Sequence, residues 1–258
     1  MTVGARTSVS SWELLRALVE RQVRVRRKRS ILGASWPAVA PVLLQALYVF
    51  VFGAVFDVGI PRYPEYLFTG LLPWTFLAQT IGQTVTSLSS EPDLIRRSPF
   101  PYELLPITTV VVMGMYFLAT LAGFIVFLGV RGHLAYAVLP AIVLPVVALF
   151  LLVSSISMIL SLVDVYNHDL RLILANLLTV WFFLVPIVYR PGMAPRPVRF
   201  LRSVDPMNMI VGQFRDILHF GQLSRPLHAG LMLVVCTALF VGSRAGFRVL
   251  SRELAKDI

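Results

Sequence analysis

LLPITTVVVMGMYFLATLAGFIVFLGV, residues 104–130, decides the fold class, because not one of its positions is Asp, Glu, Lys or Arg. The hydrocarbon core of a bilayer is about 30 Å thick and takes roughly 20 apolar helical residues to cross. Inside lipid only a helix or a closed barrel satisfies its own backbone. The run is continuously apolar rather than alternating, so it reads as a helix and not as a barrel strand. Working outward, residues 35–56, 66–90, 134–163 and 172–189 are equally free of those four residue types. A shorter sixth candidate, residues 227–243, has His228 near its start. The expected fold class is therefore an all-α integral membrane protein with six transmembrane helices.

The chain has 258 residues, of which 57% are hydrophobic and 14% charged, so no soluble domain of ordinary size fits between the apolar runs. The organisation expected is a cytoplasmic interface segment at residues 1–34, one membrane domain at residues 35–247 and a cytoplasmic tail at residues 248–258. The first 34 residues are polar and basic, and the first apolar run is too long for the core of a cleavable signal, so none is expected. The single cysteine, Cys236, excludes a disulfide within the chain.

A net charge of +10 on so apolar a chain points to the positive-inside rule rather than to nucleic acid. Eight of the 23 Lys and Arg residues precede the first span, six of them being Arg21, Arg24, Arg26, Arg27, Lys28 and Arg29. With both termini in the cytoplasm, Arg96, Arg97, Arg171 and the basic residues of the tail fall on that same side.

Residues 10–29 read as an amphipathic helix on the membrane surface. Ser10 and Glu13 have capping-box spacing, and Trp12, Leu15, Val19 and Val23 form an apolar stripe. Its basic residues suit anionic headgroups or serve only as a topology anchor. EPDLIRRSPFPYE, residues 91–103, is a short cytoplasmic loop broken by Pro92, Pro99 and Pro101. After the fifth span, Asp205 followed by Pro206 is a helix start, and Gly221 a stop. The helix between them, about 22 Å long at 1.5 Å per residue, is too short to span. It is expected as a re-entrant or interfacial element on the outer side, with Asp205, Pro206, Phe214 and Arg215 as its marker residues.

The absent chemistry narrows the function. Only two lysines exist, Lys28 and Lys256, and neither stands in a GxxxxGK[ST] loop, so this chain holds no P-loop. No apolar run carries a carboxylate, which argues against an ion-coupled carrier. No His-Glu-x-x-His or G-x-S-x-G motif is present, so no catalytic and no metal residue is assigned. Asp164, His168 and Asp169 cluster at a helix junction and read as a solvated turn.

Four stretches carry a family resemblance. RRKRSILGASWPAVAPVLLQALYVFVFGAVF (residues 26–56), YPEYLFTGLLPWTF (63–76), LIRRSPFPYELLPIT (94–108), and VPIVYRPGMAP with DPMNMIVGQFRDIL resemble, in that order, segments of ABC-2-type permeases that export polysaccharides. The resemblance implies a six-span bundle with a surface N-terminal helix and outer re-entrant helices. It also implies a homodimer in the bacterial cytoplasmic membrane with both termini inside. A separate ABC ATPase subunit, in two copies, would bind ATP and magnesium, so the chain needs no cofactor and is not an enzyme by itself. The substrate implied is a lipid-linked polysaccharide such as O-antigen, capsule, teichoic acid or galactan. An ABC-2 exporter of drugs or small lipophiles, and an intramembrane glycan- or lipid-modifying enzyme, are the alternatives. One departure is His168-Asp169, where the family often has Arg-Asp.

On this resemblance the ATPase-coupling residues are Asp93, Leu94, Arg96, Arg97 and Phe100. Tyr48, Phe52 and Phe56 share one face of the first span at i, i+4 and i+8. They are candidates for a substrate channel, joined by Trp181, because aromatic faces stack on sugars. Aromatics near span ends also serve simply as interface markers, and both readings stand here.

Overall fold

The structure, a computed structural model, describes residues 10–28, 60–91, 101–167, 169–189, 204–223 and 226–257, with Leu43, Ala46, Leu47, Phe50 and Val51 of the first apolar run. Among the described residues it holds seven α-helices: α1 (Ser11–Lys28), α2 (Tyr63–Thr84), α3 (Leu104–Val130), α4 (Val143–Tyr166), α5 (Leu170–Leu184), α6 (Pro206–Leu218) and α7 (Pro226–Asp257). A short 3₁₀ turn, Leu139–Ile142, leads into α4.

Among the described residues, three stretches are long and apolar enough to cross a membrane: Leu104–Val130, Leu139–Tyr166 and Leu227–Ser251. Helix α3 has the bounds that its flanking charges, Glu103 and Arg131, dictate. It closes on Gly132, at φ 70°, with His133 N–H donating to the Leu128 carbonyl at 2.9 Å, a Schellman-type end. Two apolar runs differ from their helices. The fourth run begins at residue 134, but helix starts only at Leu139, because residues 133–138 make an irregular turn first. The fifth run extends to residue 189, but α5 stops at Leu184 after 15 residues. Proline disfavours α geometry in the residue before it, and Val185, ahead of Pro186, is extended at ψ 127°.

Helix α2 is the centre of the bundle. Most of its residues are buried, and it packs against α3, α4, α5 and α6. Phe76 stacks on Phe117 at 4.8 Å between ring centres and meets Phe150 at 5.1 Å. Phe150 fits against Gly114, where a Cβ would lie 2.3 Å from its ring. That position therefore needs glycine, and the close approach brings α3 and α4 together. Helix α7 runs along α4 and continues unbroken to Asp257. Four buried hydroxyls are satisfied locally: Thr69, Thr75, Thr108 and Ser155 each donate to a carbonyl three or four residues back. Thr84 also donates to Ser157 across the α2–α4 contact at 2.9 Å.

The N-terminal helix begins with the expected box. Ser10 N–H donates to Glu13 at 3.1 Å, and Trp12 N–H donates to the Ser10 hydroxyl at 3.3 Å. The helix lies against α3, with Trp12 71% exposed.

Candidate functional site

The polar side chains collect at the two ends of the bundle. At the α1 end, Gln22 donates to Thr109 at 3.2 Å, Arg21 pairs with Glu91 at 3.0 Å, and Arg26 donates to Gln83. These contacts fasten α1 to the close of α2 and the start of α3. Nearby, Asp164 is fully buried, contrary to the solvated turn expected. Arg171 donates to both of its oxygens, at 3.0 and 2.9 Å, and the Ser89 hydroxyl donates to it at 2.6 Å. A carboxylate with no water around it stays ionised only with such partners. The Arg171 pairing explains why it sits inside. His168 lies outside the described residues.

The C-terminal helix reaches the same end. Arg244 donates to Glu103 at 3.2 Å, and Arg248 stands 3.7 Å from it. Desolvation raises the Glu103 carboxyl, but the hydrogen bonds and charges of Arg244 and Arg248 outweigh it and hold the group below its ordinary range.

At the opposite end, α6 is clamped over the bundle. Asp205 caps it by accepting from Met207 N–H at 3.0 Å, with Pro206 at the first helical position, as the Asp-Pro pair predicts. Trp181, at the end of α5, donates its indole N–H to the other Asp205 oxygen at 3.1 Å and meets the Trp74 ring edge-on at 5.7 Å. Phe214 is fully buried, 6.3 Å from Phe117 between ring centres. Arg215 is buried too. Its guanidinium donates to the Ile187 carbonyl at 2.6 Å and to the Pro186 carbonyl, and lies over the Tyr66 ring. The carbonyls it satisfies belong to the irregular chain that follows α5. Gly221, at φ 65°, ends the cap, where a Cβ would meet Ala135 at 2.8 Å.

A second cluster adjoins that cap. Glu65 is buried between Arg62, at 3.3 Å, and His133, at 2.7 Å. Arg62 adopts a left-handed conformation at φ 53°, which costs a non-glycine residue about 1–2 kcal/mol. Its hydrogen bond of 2.7 Å to the His219 carbonyl helps hold it there. His219 is 3% exposed, and its Nδ1 makes no hydrogen bond. Burial, then the Arg62 charge, push it down to about 4, against the opposite pull of Glu65.

Beside this cluster a cavity of about 810 Å³ opens between the first apolar run, α2 and α3. Among the described residues no group of three or more His, Cys, Asp or Glu side chains is placed to hold a metal ion.

The structure thus brings Trp181, Asp205, Pro206, Phe214 and Arg215 together in one cap, with Trp181 bonded to Asp205. Tyr48, Phe52 and Phe56, and all five residues expected to couple to an ATPase, Asp93, Leu94, Arg96, Arg97 and Phe100, lie outside the described residues. The pairs Glu65–His133 and Asp164–Arg171 were missed by sequence reasoning. Their one signal is that Glu65, Asp164 and Arg171 each abut an end of an apolar run.

Comparison with known proteins gives a consistent family. The family described as ABC-2 type transporter matches residues 13–219. The O-antigen export system permease protein RfbA of Myxococcus xanthus is 35% identical over 254 residues, 95% of each chain. A protein of the same name from Klebsiella pneumoniae is 27% identical over 219 residues, 83% of each chain.

Proposed function

Since the chain belongs to the ABC-2 type transporter family, we propose that it is the membrane permease of an ATP-driven exporter that carries a lipid-linked polysaccharide of the O-antigen kind across the bacterial cytoplasmic membrane. The observation that carries this reading is the 35% identity over 95% of both chains with an O-antigen export permease. A match of that extent covers the bundle, the cap and the tail together, not one shared helix.

In this reading the first apolar run and α2 to α5 supply five spans and α7 the sixth. Helix α1 and the end of α7 then face the cytoplasm together, and the α6 cap faces outward. The ion pairs that tie both α1 and α7 to one end of the bundle support this arrangement. The working unit is a homodimer with two copies of a separate ATPase, which holds ATP and magnesium. Ile173, Leu177 and Val180, exposed along α5, offer an apolar face for the second copy. The coupling contact is assigned to residues 93–100 and the glycan path to the aromatic face of Tyr48, Phe52 and Phe56 with Trp181.

The test is to delete the gene and identify what accumulates. A lipid-linked glycan trapped on the cytoplasmic side, with surface glycan restored by the wild-type gene, is expected. Normal surface glycan with new sensitivity to lipophilic drugs would overturn the glycan assignment and favour a small-lipophile exporter.

A further inference from the structure

We propose that the cavity between the first apolar run, α2 and α3 is a binding groove for one bilayer phospholipid, with its acyl chains along the apolar walls and its phosphate at Arg131. The walls are Leu43, Ala46, Phe68, Gly123, Phe124 and Phe127. The volume, about 810 Å³, lies within the range of small-molecule sites. Phe68 stacks on Phe124 at 4.4 Å, which forms a firm aromatic wall. Gly123 leaves the groove open, since a Cβ there would meet nothing within 4 Å.

The polar lining lies at one end. Arg62, Glu65, Arg131 and His133 gather where α2 begins and α3 stops. Glu65 is already held by Arg62 and His133. Arg131 is different: its guanidinium lies 5.2 Å from the Phe127 ring centre, and among the described residues no carboxylate pairs with it. A guanidinium with no carboxylate partner among the described residues, at the mouth of an apolar groove, fits an amphiphile with an anionic head. One guanidinium without a carboxylate among the described residues, beside an occupied carboxylate, matches the single charge of a phosphodiester better than the higher charge of a diphosphate. That favours a membrane phospholipid over a diphosphate-linked carrier.

The experiment is native mass spectrometry of the full-length protein in mild detergent, titrated with phosphatidylglycerol and, separately, with a diacylglycerol of the same chains. Phosphatidylglycerol should bind about tenfold tighter, since a charge-assisted contact is worth about that factor. Arg131→Gln should erase that preference while leaving diacylglycerol retention and the melting temperature unchanged. Gly123→Phe should reduce retention of both lipids, and Ala119→Phe, on the same wall, provides a second filled groove if the first variant melts early. Unchanged phosphatidylglycerol binding in Arg131→Gln would overturn the proposal. So would competition by the soluble headgroup glycerophosphoglycerol at equal concentration, which would make the site one for free phosphate esters. Selective retention of a polyprenyl phosphate over phosphatidylglycerol would overturn the phospholipid assignment. Loss of dimer mass in Gly123→Phe without loss of lipid would show a second copy on this face instead.

Discussion

The guanidinium carbon of Arg215 lies 3.8 Å from the centre of the Tyr66 ring. One cation from α6 is thus stacked on α2 while it satisfies the chain that follows α5. Removing it takes the donor from two carbonyls at once. Arg215→Ala should lower stability by about 2–5 kcal/mol, and Tyr66→Leu by about 1–2 kcal/mol. Arg215→Lys should recover little, because an ammonium has no planar fork. Thermal unfolding in detergent, arranged as a double-mutant cycle, checks this. Additive losses for the pair would mean that the stack contributes nothing.

Asp164 and Arg171 should behave as a unit. Arg171→Gln takes the cation away from a fully buried carboxylate and should lower stability. Adding Asp164→Asn should restore much of that, since a neutral amide no longer needs a cation. The amount of folded protein in the membrane, by fluorescence-detected chromatography, reads both variants. A double variant as poor as the single would remove the ion pair from the account.

The shift at His219 makes a pH statement. Its folded value of about 4 lies below the ordinary 6.5. The unfolded chain therefore binds a proton in that window while the folded one does not. Stability is full above about pH 6.5, falls as pH drops toward 4, and levels off below that. His219→Phe keeps a ring against Tyr66 and should flatten the fall. Melting temperatures between pH 7 and 4.5 test it, and equal slopes for wild type and variant would refute it.

The glycan path has its own test. With the partner ATPase present, Tyr48→Ala with Phe52→Ala should abolish surface glycan while nucleotide hydrolysis continues. Normal export, or failure to assemble, would leave these aromatics as packing.

Charge reversal of Arg96 and Arg97 to Glu should stop export and weaken capture of the ATPase, while the chain still reaches the membrane. Unaltered export would remove both arginines from the coupling contact.

Sequence reading found what local rules govern. The bounds of α3 follow from Glu103 and Arg131 at its ends, and the start of α6 from Asp205 and Pro206. The end of α5 was misplaced because apolar residues continue through residue 189, although Pro186 marks the break. The buried pairs were not legible. Glu65 and His133 stand 68 positions apart, and nothing in either neighbourhood names the other. Arg215 was placed in the outer element by its position, but its partners, two backbone carbonyls and a ring, leave no pattern in the chain.

Ion pairs and hydrogen bonds fasten this bundle at its two rims, and the layer between them is held by the rings of Phe76, Phe117 and Phe150. Rim fastenings resist splaying, so a push delivered through α1 would turn the whole stave rather than bend one helix. In the homodimer proposed above, the hinge would then lie at the seam between the two copies rather than inside either of them.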